Sequence, residues 1–209
     1  ILGAFHQPHS VLIDLNFLKT LPIRIYAEGF AEIIKHGVIA DEGLFKYCMD
    51  KADSLMNRVL NSLLYPVIRS CEIKADIVMQ DEKEQNIRAY LNYGHTFGHA
   101  FEAVTDYKKF LHGEAVSLGM IAAAELAVLM NYVDAEVPPL HRKVLQKYGL
   151  PISWKEVPIE EVLQAMQRDK KSKAGKLRFI LPRKIGEVEI VADVPEALIR
   201  QALVKIKSE

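Results

Sequence analysis

Between residues 115 and 130 the chain is apolar at almost every position, with Glu125 as the one charge in the run. A bilayer span needs about 20 such residues, and this run is both shorter and interrupted. It reads as a helix buried on all sides. Such a helix cannot stand alone, so other elements must be built around it.

Most of the remaining chain has helical periodicity. Residues 26–39 place Phe30, Ile33, Ile34 and Val38 on one side. Asp41 is positioned to cap a short helix that runs through Met49. Residues 53–80 continue at helical spacing, with Pro66 expected to split or kink them. After a charged connector (81–86) come helices at 94–104, 113–130, 139–148 and 159–167, with Gly149 a C-cap. The β signals are few. Residues 177–181 and 188–191 flank Pro-Arg-Lys-Ile-Gly-Glu and predict a hairpin, and Val11-Leu12-Ile13 forms a strand-like run. Residues 195–207 close the chain as a helix with Pro in its first turn. The expected fold is mainly α: a multi-helix domain with a small β-hairpin near the C-terminus. Residues 1–209 are expected to form one domain, with 1–22 an irregular lead-in punctuated by Pro8 and Pro22.

Lys plus Arg equals Asp plus Glu, 27 each, so charge favours neither nucleic acid nor a membrane as partner. The two cysteines, Cys48 and Cys71, lie among apolar residues and read as reduced core thiols. Neither G-x-G-x-x-G nor G-x-x-x-x-G-K occurs, so no dinucleotide or P-loop motif is present. The N-terminus lacks the basic and apolar regions of a secretory leader. With the thiols, that makes the expected location cytoplasmic. The first residue is Ile1, as in a piece of a longer protein.

The chemistry is concentrated in residues 88–102, R-A-Y-L-N-Y-G-H-T-F-G-H-A-F-E, and in L-H-G-E at 111–114. Arg88, Asn92, His95, His99 and Glu102 follow at steps of four, three, four and three, one stripe of a helix. A stripe of cations, amide and imidazoles suits a metal and an anionic, hydroxyl-rich ligand better than a core. His95 and His99 have a metal-ligand spacing, and His112 begins a helix that can fold back toward them. Spacing does not choose which two histidines bind, and Glu32, Glu102 and Glu114 all qualify as the carboxylate. Lys35, three residues after Glu32, fits either an ordinary surface pair or a site cation. Lys74 fits a snorkelling side chain or the same site. Asp169, Lys170, Lys171 and Lys173 form a charged turn or, if they converge on the histidines, an anion clamp. Glu72, Asp81, Glu82 and Glu84 read as surface charges.

Six blocks resemble the 3-dehydroquinate synthase family, in that family's order. They are G-A-F-H-Q-P (3–8), G-F-A-E-I-I-K (29–35), K-A-D-I-V-M-Q-D-E-K-E (74–84), L-N-Y-G-H-T-F-G-H-A-F-E (91–102), L-H-G-E-A-V (111–116) and D-K-K…L-R-F-I-L-P…I-G (169–186). The resemblance implies the helical C-terminal domain, without the family's N-terminal NAD-binding domain. It implies conversion of 3-deoxy-arabino-heptulosonate 7-phosphate to 3-dehydroquinate and phosphate, in the shikimate route to aromatic amino acids. NAD would act transiently in the full-length enzyme, so this chain alone is expected to be inactive. Metal ligands for Zn²⁺ or Co²⁺ would be Glu32, His95 and His112. Lys74, Arg88, Asn92 and Lys35 would hold substrate carboxylate and hydroxyls. His99 would lie near the phosphate and shuttle protons, and Lys170 or Lys171 would close over that phosphate. A homodimer is implied as well. The chain departs from the family pattern at Ile23, Ile25, His36 and Asn86, none of them a proposed ligand. Rival readings are a sister sugar-phosphate cyclase, a metal-dependent polyol dehydrogenase domain, and a non-catalytic metal-binding fragment. Lys74, Asn92 and His99 match the dehydroquinate pattern rather than the sister cyclases.

Overall fold

The computed structural model describes residues 7–155, 157–172 and 177–208, the side chains of 169–172 excepted. The first four residues of the 3–8 block and the Lys170 and Lys171 side chains therefore lie outside what is described. The molecule is mainly α, with one small antiparallel hairpin near its C-terminus, as the sequence pattern predicts.

Helix α6 (His112–Leu129) is the centre, packed by α5 (His95–Val104), α9 (Glu196–Ile206), α1 (Ile23–Ala40), α7 (Val137–Lys147) and strand β1 (Arg178–Lys184). Its run from Ala115 to Ala127 is buried throughout. The one charge, Glu125, is met there by Arg142 at 2.9 Å and Lys205 at 3.3 Å. A buried carboxylate persists only when paired, so Glu125 specifies where α7 and α9 dock.

The α5–α6 contact is closer than ordinary side chains permit. A Cβ on Gly119 would overlap the Gly94 carbonyl oxygen, and one on Gly98 would lie 3.2 Å from the Ala115 carbonyl oxygen. Backbone rests on backbone along this seam.

Asp41 both ends α1 and starts α2 (Glu42–Asp50), its carboxylate accepting from Leu44 N–H at 2.9 Å. Helix α3 (Ala52–Met56) stops at Asn57, and Arg58 adopts a positive φ of 57° before α4 (Leu60–Gln80) begins. The break thus falls here and not at Pro66, which sits inside an uninterrupted α4. Pro66 cannot donate to the Ser62 carbonyl four residues back. The Tyr47 hydroxyl of α2 donates to that carbonyl instead, at 3.0 Å.

The expected single stripe from Arg88 to Glu102 is two elements. Residues Ile87–Asn92 form a 3-10 helix, Gly94 turns the chain at φ 80°, and α5 begins at His95. Strands β1 and β2 (Glu187–Ala192) pair antiparallel, Phe179 opposite Val191. Gly186, at φ 92°, donates its N–H to the Val38 carbonyl at 2.8 Å and ties the hairpin to α1. Val11, Leu12 and Ile13 are exposed and form no strand, because no described strand lies beside them to pair. Cys48 is buried as expected, but Cys71 is exposed, on the outer side of α4.

Candidate metal and substrate site

Three elements converge beside the seam. Helix α1 brings Glu32 and Lys35, α5 brings His95, His99 and Glu102, and the first residue of α6 is His112. One oxygen of Glu32 and one nitrogen each of His95 and His112 lie within 4.8 Å of one another. Glu32 Oε1 is 3.6 Å from His95 Nε2 and 4.0 Å from His112 Nε2.

The hydrogen bonds assign what faces that space. His95 Nδ1 lies 3.1 Å from the Tyr93 carbonyl, and a carbonyl only accepts, so Nδ1 carries the proton. His112 Nδ1 lies 3.1 Å from Glu102 Oε1, which assigns its proton the same way. Both Nε2 atoms then present lone pairs. Glu32 Oε2 accepts from Lys35 Nζ at 2.6 Å, whereas Oε1 is buried with no hydrogen-bond partner. Three acceptors facing one another without a donor repel, and a cation between them removes the repulsion. Tetrahedral Zn²⁺ with bonds of about 2.0–2.1 Å needs ligand atoms roughly 3.3 Å apart, closer than the 3.6 and 4.0 Å found here. The donor set, one carboxylate and two imidazoles, fits a divalent ion that draws these atoms together.

Electrostatics favour the same state. Burial, and then the Lys35 charge, lowers the His95 pKa to about 4, so the ring is neutral near pH 7. Burial pushes the Glu32 carboxyl upward, but Lys35 and the neighbouring histidines prevail and leave it lowered. Lys35 is 3% exposed, and burial lowers its pKa against the pull of Glu32. It is not the surface pair that its spacing allows.

His99 stands at the edge of the trio, its ring centroid 5.4 Å from that of His95 and 6.3 Å from that of His112. It also lines a cavity of about 520 Å³ between α5 and α8 (Ile159–Ser172), shared with Thr96 and Arg168. Lys74 is exposed on α4, near enough for its charge to lower both Lys35 and His36. Arg88 donates to the Glu82 carbonyl, and Asn92 Nδ2 donates to Glu84 Oε1 at 3.0 Å. Neither contact involves the trio. The connector's Glu82 and Glu84 lie at the surface as read, while Asp81 also organises the turn. Asp81 accepts the backbone N–H groups of Gln85, Asn86 and Arg88 at 2.9, 2.6 and 3.1 Å. His36 was singled out in the sequence only as a departure; its Nδ1 lies 2.5 Å from Ser70 Oγ and joins α1 to α4.

A family model described as 3-dehydroquinate synthase C-terminal matches residues 29–172. The chain belongs to the 3-dehydroquinate synthase family. A protein named 3-dehydroquinate synthase from Crocosphaera subtropica is 46% identical over 99% of this chain and 58% of its own length. One of the same name from Prochlorococcus marinus is 47% identical over all of this chain and 57% of its own length. The chain thus spans little more than half the length of these 3-dehydroquinate synthases. Among solved structures, 2-epi-5-epi-valiolone synthase from Streptomyces hygroscopicus subsp. jinggangensis, with NAD⁺ and Zn²⁺ bound, has TM-score 0.89 and 27% identity over 98% of this chain and 57% of that one. A 2-deoxy-scyllo-inosose synthase shares the fold at TM-score 0.79 and 23% identity, over 98% of this chain and 58% of that one.

Proposed function

We propose that residues 1–209 are the metal- and substrate-binding part of an enzyme that converts 3-deoxy-arabino-heptulosonate 7-phosphate to 3-dehydroquinate and phosphate. The observation that carries this is the unpartnered Glu32 Oε1 facing the Nε2 atoms of His95 and His112 beside the buried cation of Lys35.

Glu32, His95 and His112 would hold Zn²⁺ or Co²⁺. When bound, that ion supplies Lewis acidity to a substrate oxygen. The rest is done by side chains. Lys35 keeps Glu32 ionised and adds positive charge where the substrate's oxygens gather. Lys74 and Arg88 attract its carboxylate, since charge-assisted hydrogen bonds are the strong ones. Asn92 can exchange Glu84 for a substrate hydroxyl. His99, which lines the cavity, would hold the phosphate and pass a proton, a task for which imidazole is suited near neutral pH. Lys170 or Lys171, at the end of α8, would meet that phosphate.

NAD chemistry would belong to the part of the relatives' length that this chain does not span, so the chain alone is expected to show no turnover. The valiolone synthase structure, with NAD⁺ and Zn²⁺ bound, supports the use of both groups by the full-length enzyme. Identities of 46–47% to dehydroquinate synthases, against 27% to the valiolone synthase, favour the dehydroquinate reaction over a sister cyclase. A homodimer and a cytoplasmic location complete the proposal.

Elemental mass spectrometry of the purified chain is the first test, expected to find about one zinc per chain and none in His95→Ala. Fusing the chain to the upstream part of the Crocosphaera subtropica relative is then expected to restore phosphate release from the heptulosonate phosphate. No zinc after reconstitution would defeat the metal reading. Faster release from another sugar phosphate would move the protein to a sister cyclase.

A further inference from the structure

We propose that Glu102 is a positioning residue, holding His112 in the tautomer and orientation that present Nε2 to the metal. The inference rests on the metal reading above and adds a residue to it.

The two histidines differ in how they are held. The His95 side chain is 12% exposed and enclosed by α5 and its neighbours, with the Tyr93 carbonyl two residues away on its own chain. The His112 side chain is 47% exposed, at the very start of α6. Packing alone does not immobilise a ring so open to solvent. Its Nδ1 is instead 3.1 Å from Glu102 Oε1, and Glu102 is itself buried.

Glu102 can do this because of where it lies. It follows His95 by seven residues, two turns along α5 on the same side. One helix therefore supplies a ligand and, two turns on, the support for the other ligand. The glycine seam brings the α5 and α6 backbones into contact, which keeps Glu102 within reach of His112. The start of α6 is tethered too: Gly113 N–H donates to Glu28 Oε2 at 2.9 Å, and Leu111 N–H to Glu114 Oε2 at 2.9 Å. Those bonds occupy Glu28 and Glu114, and Glu32 lies on the Nε2 side of the ring. A carboxylate that accepts from Nδ1–H excludes the wrong tautomer and makes Nε2 a better donor to a metal.

The test measures Zn²⁺ affinity by chelator competition, together with ¹⁵N chemical shifts of the metal-free histidines, in Glu102→Leu and Glu102→Gln. Leu fills the space without an acceptor, and Gln keeps one. Glu102→Leu is expected to weaken Zn²⁺ binding by about 10- to 100-fold and to give His112 a mixture of tautomers. Glu102→Gln should keep the Nδ1–H tautomer and recover part of the affinity. Parent affinity and a single His112 tautomer in Glu102→Leu would overturn the proposal. If the parent chain itself binds no Zn²⁺, the metal reading fails. The ¹⁵N shifts then still decide whether Glu102 sets the His112 tautomer.

Discussion

The α5–α6 seam and the stretch from Leu60 to Asn92 both carry residues proposed to meet the metal or the substrate, yet they are built in opposite ways. At the seam, glycines let two helix backbones touch, and His95, Glu102 and His112 follow from that contact. In the other stretch, Lys74 stands exposed on α4, and Arg88 and Asn92 hang on hydrogen bonds to their own acidic connector. The first arrangement changes only if the core unpacks. The second changes by exchanging one hydrogen-bond acceptor for another. On the roles proposed above, the metal half is anchored by backbone contact and the substrate half by hydrogen bonds that can be exchanged.

The largest effect that would break this contrast is at Gly119. In Gly119→Val the new side chain would overlap the Gly94 carbonyl oxygen, with backbone on both sides of the conflict. The expected loss is at least about 3 kcal/mol, or failure to fold, read from the urea midpoint. A variant of parent stability would show that the seam can yield.

A second effect sharpens the same side. His141 is fully buried, its Nδ1 2.9 Å from the Val137 carbonyl and its Nε2 2.9 Å from the Tyr93 hydroxyl, just before Gly94. Burial lowers its pKa to about 4, against about 6.5 in the unfolded chain. Between those values the unfolded chain takes a proton that the folded one refuses. Stability is therefore complete above about pH 6.5 and falls as pH drops toward 4, by about 3 kcal/mol from this residue. His36, also lowered to about 4 by burial, acts in the same direction. His141→Gln should lose about one proton of linkage, giving a shallower slope of stability against pH. An unchanged slope would remove His141 from the account.

A smaller change probes the anchor alone. The Tyr93 hydroxyl lies 3.1 Å from the Met120 carbonyl as well as 2.9 Å from His141 Nε2. Tyr93→Phe removes the hydroxyl shared by the Met120 carbonyl and His141 Nε2 and should cost about 1–2 kcal/mol in thermal or urea unfolding. A cost near zero would mean that the glycine seam alone orients the Tyr93 carbonyl behind His95.

What could be read in the sequence divides along the same line. The buried helix, the Asp41 cap and the hairpin were legible because each is written locally, in hydrophobic periodicity or turn residues. The helix start at Gly94 was legible too, but the 4-3-4-3 spacing carried the stripe back to Arg88 across it, because that spacing satisfies a helix on both sides of the turn. Pro66 looked like a breaker because the Tyr47 hydroxyl that satisfies Ser62 comes from another helix. At the site, residue types and spacing pointed to metal and anion. They could not choose among Glu32, Glu102 and Glu114, whose hydrogen bonds depend on how α1, α5 and α6 meet. The burial of Lys35 was hidden for the same reason: an i, i+3 pair reads identically on a surface and in a core.

The smallest effect on stability, and the cleanest cut between the two halves, is expected at Arg88. Its guanidinium reaches the Glu82 carbonyl, but the turn around it is organised by Asp81, which accepts Arg88's own backbone N–H. Removing the side chain leaves that backbone bond in place. Arg88→Ala should therefore change stability by no more than about 0.5 kcal/mol and leave Zn²⁺ affinity at the parent value, because Arg88 makes no contact with the trio. Affinity for a hydroxylated carboxylate, followed by calorimetry on the Zn²⁺-loaded chain, should fall about tenfold, the loss of a hydrogen bond between charged groups. Weaker Zn²⁺ binding in Arg88→Ala would mean that the two halves are coupled through the 3-10 helix. Unchanged carboxylate affinity would mean that the anion is held elsewhere, with Lys74 the next residue to remove.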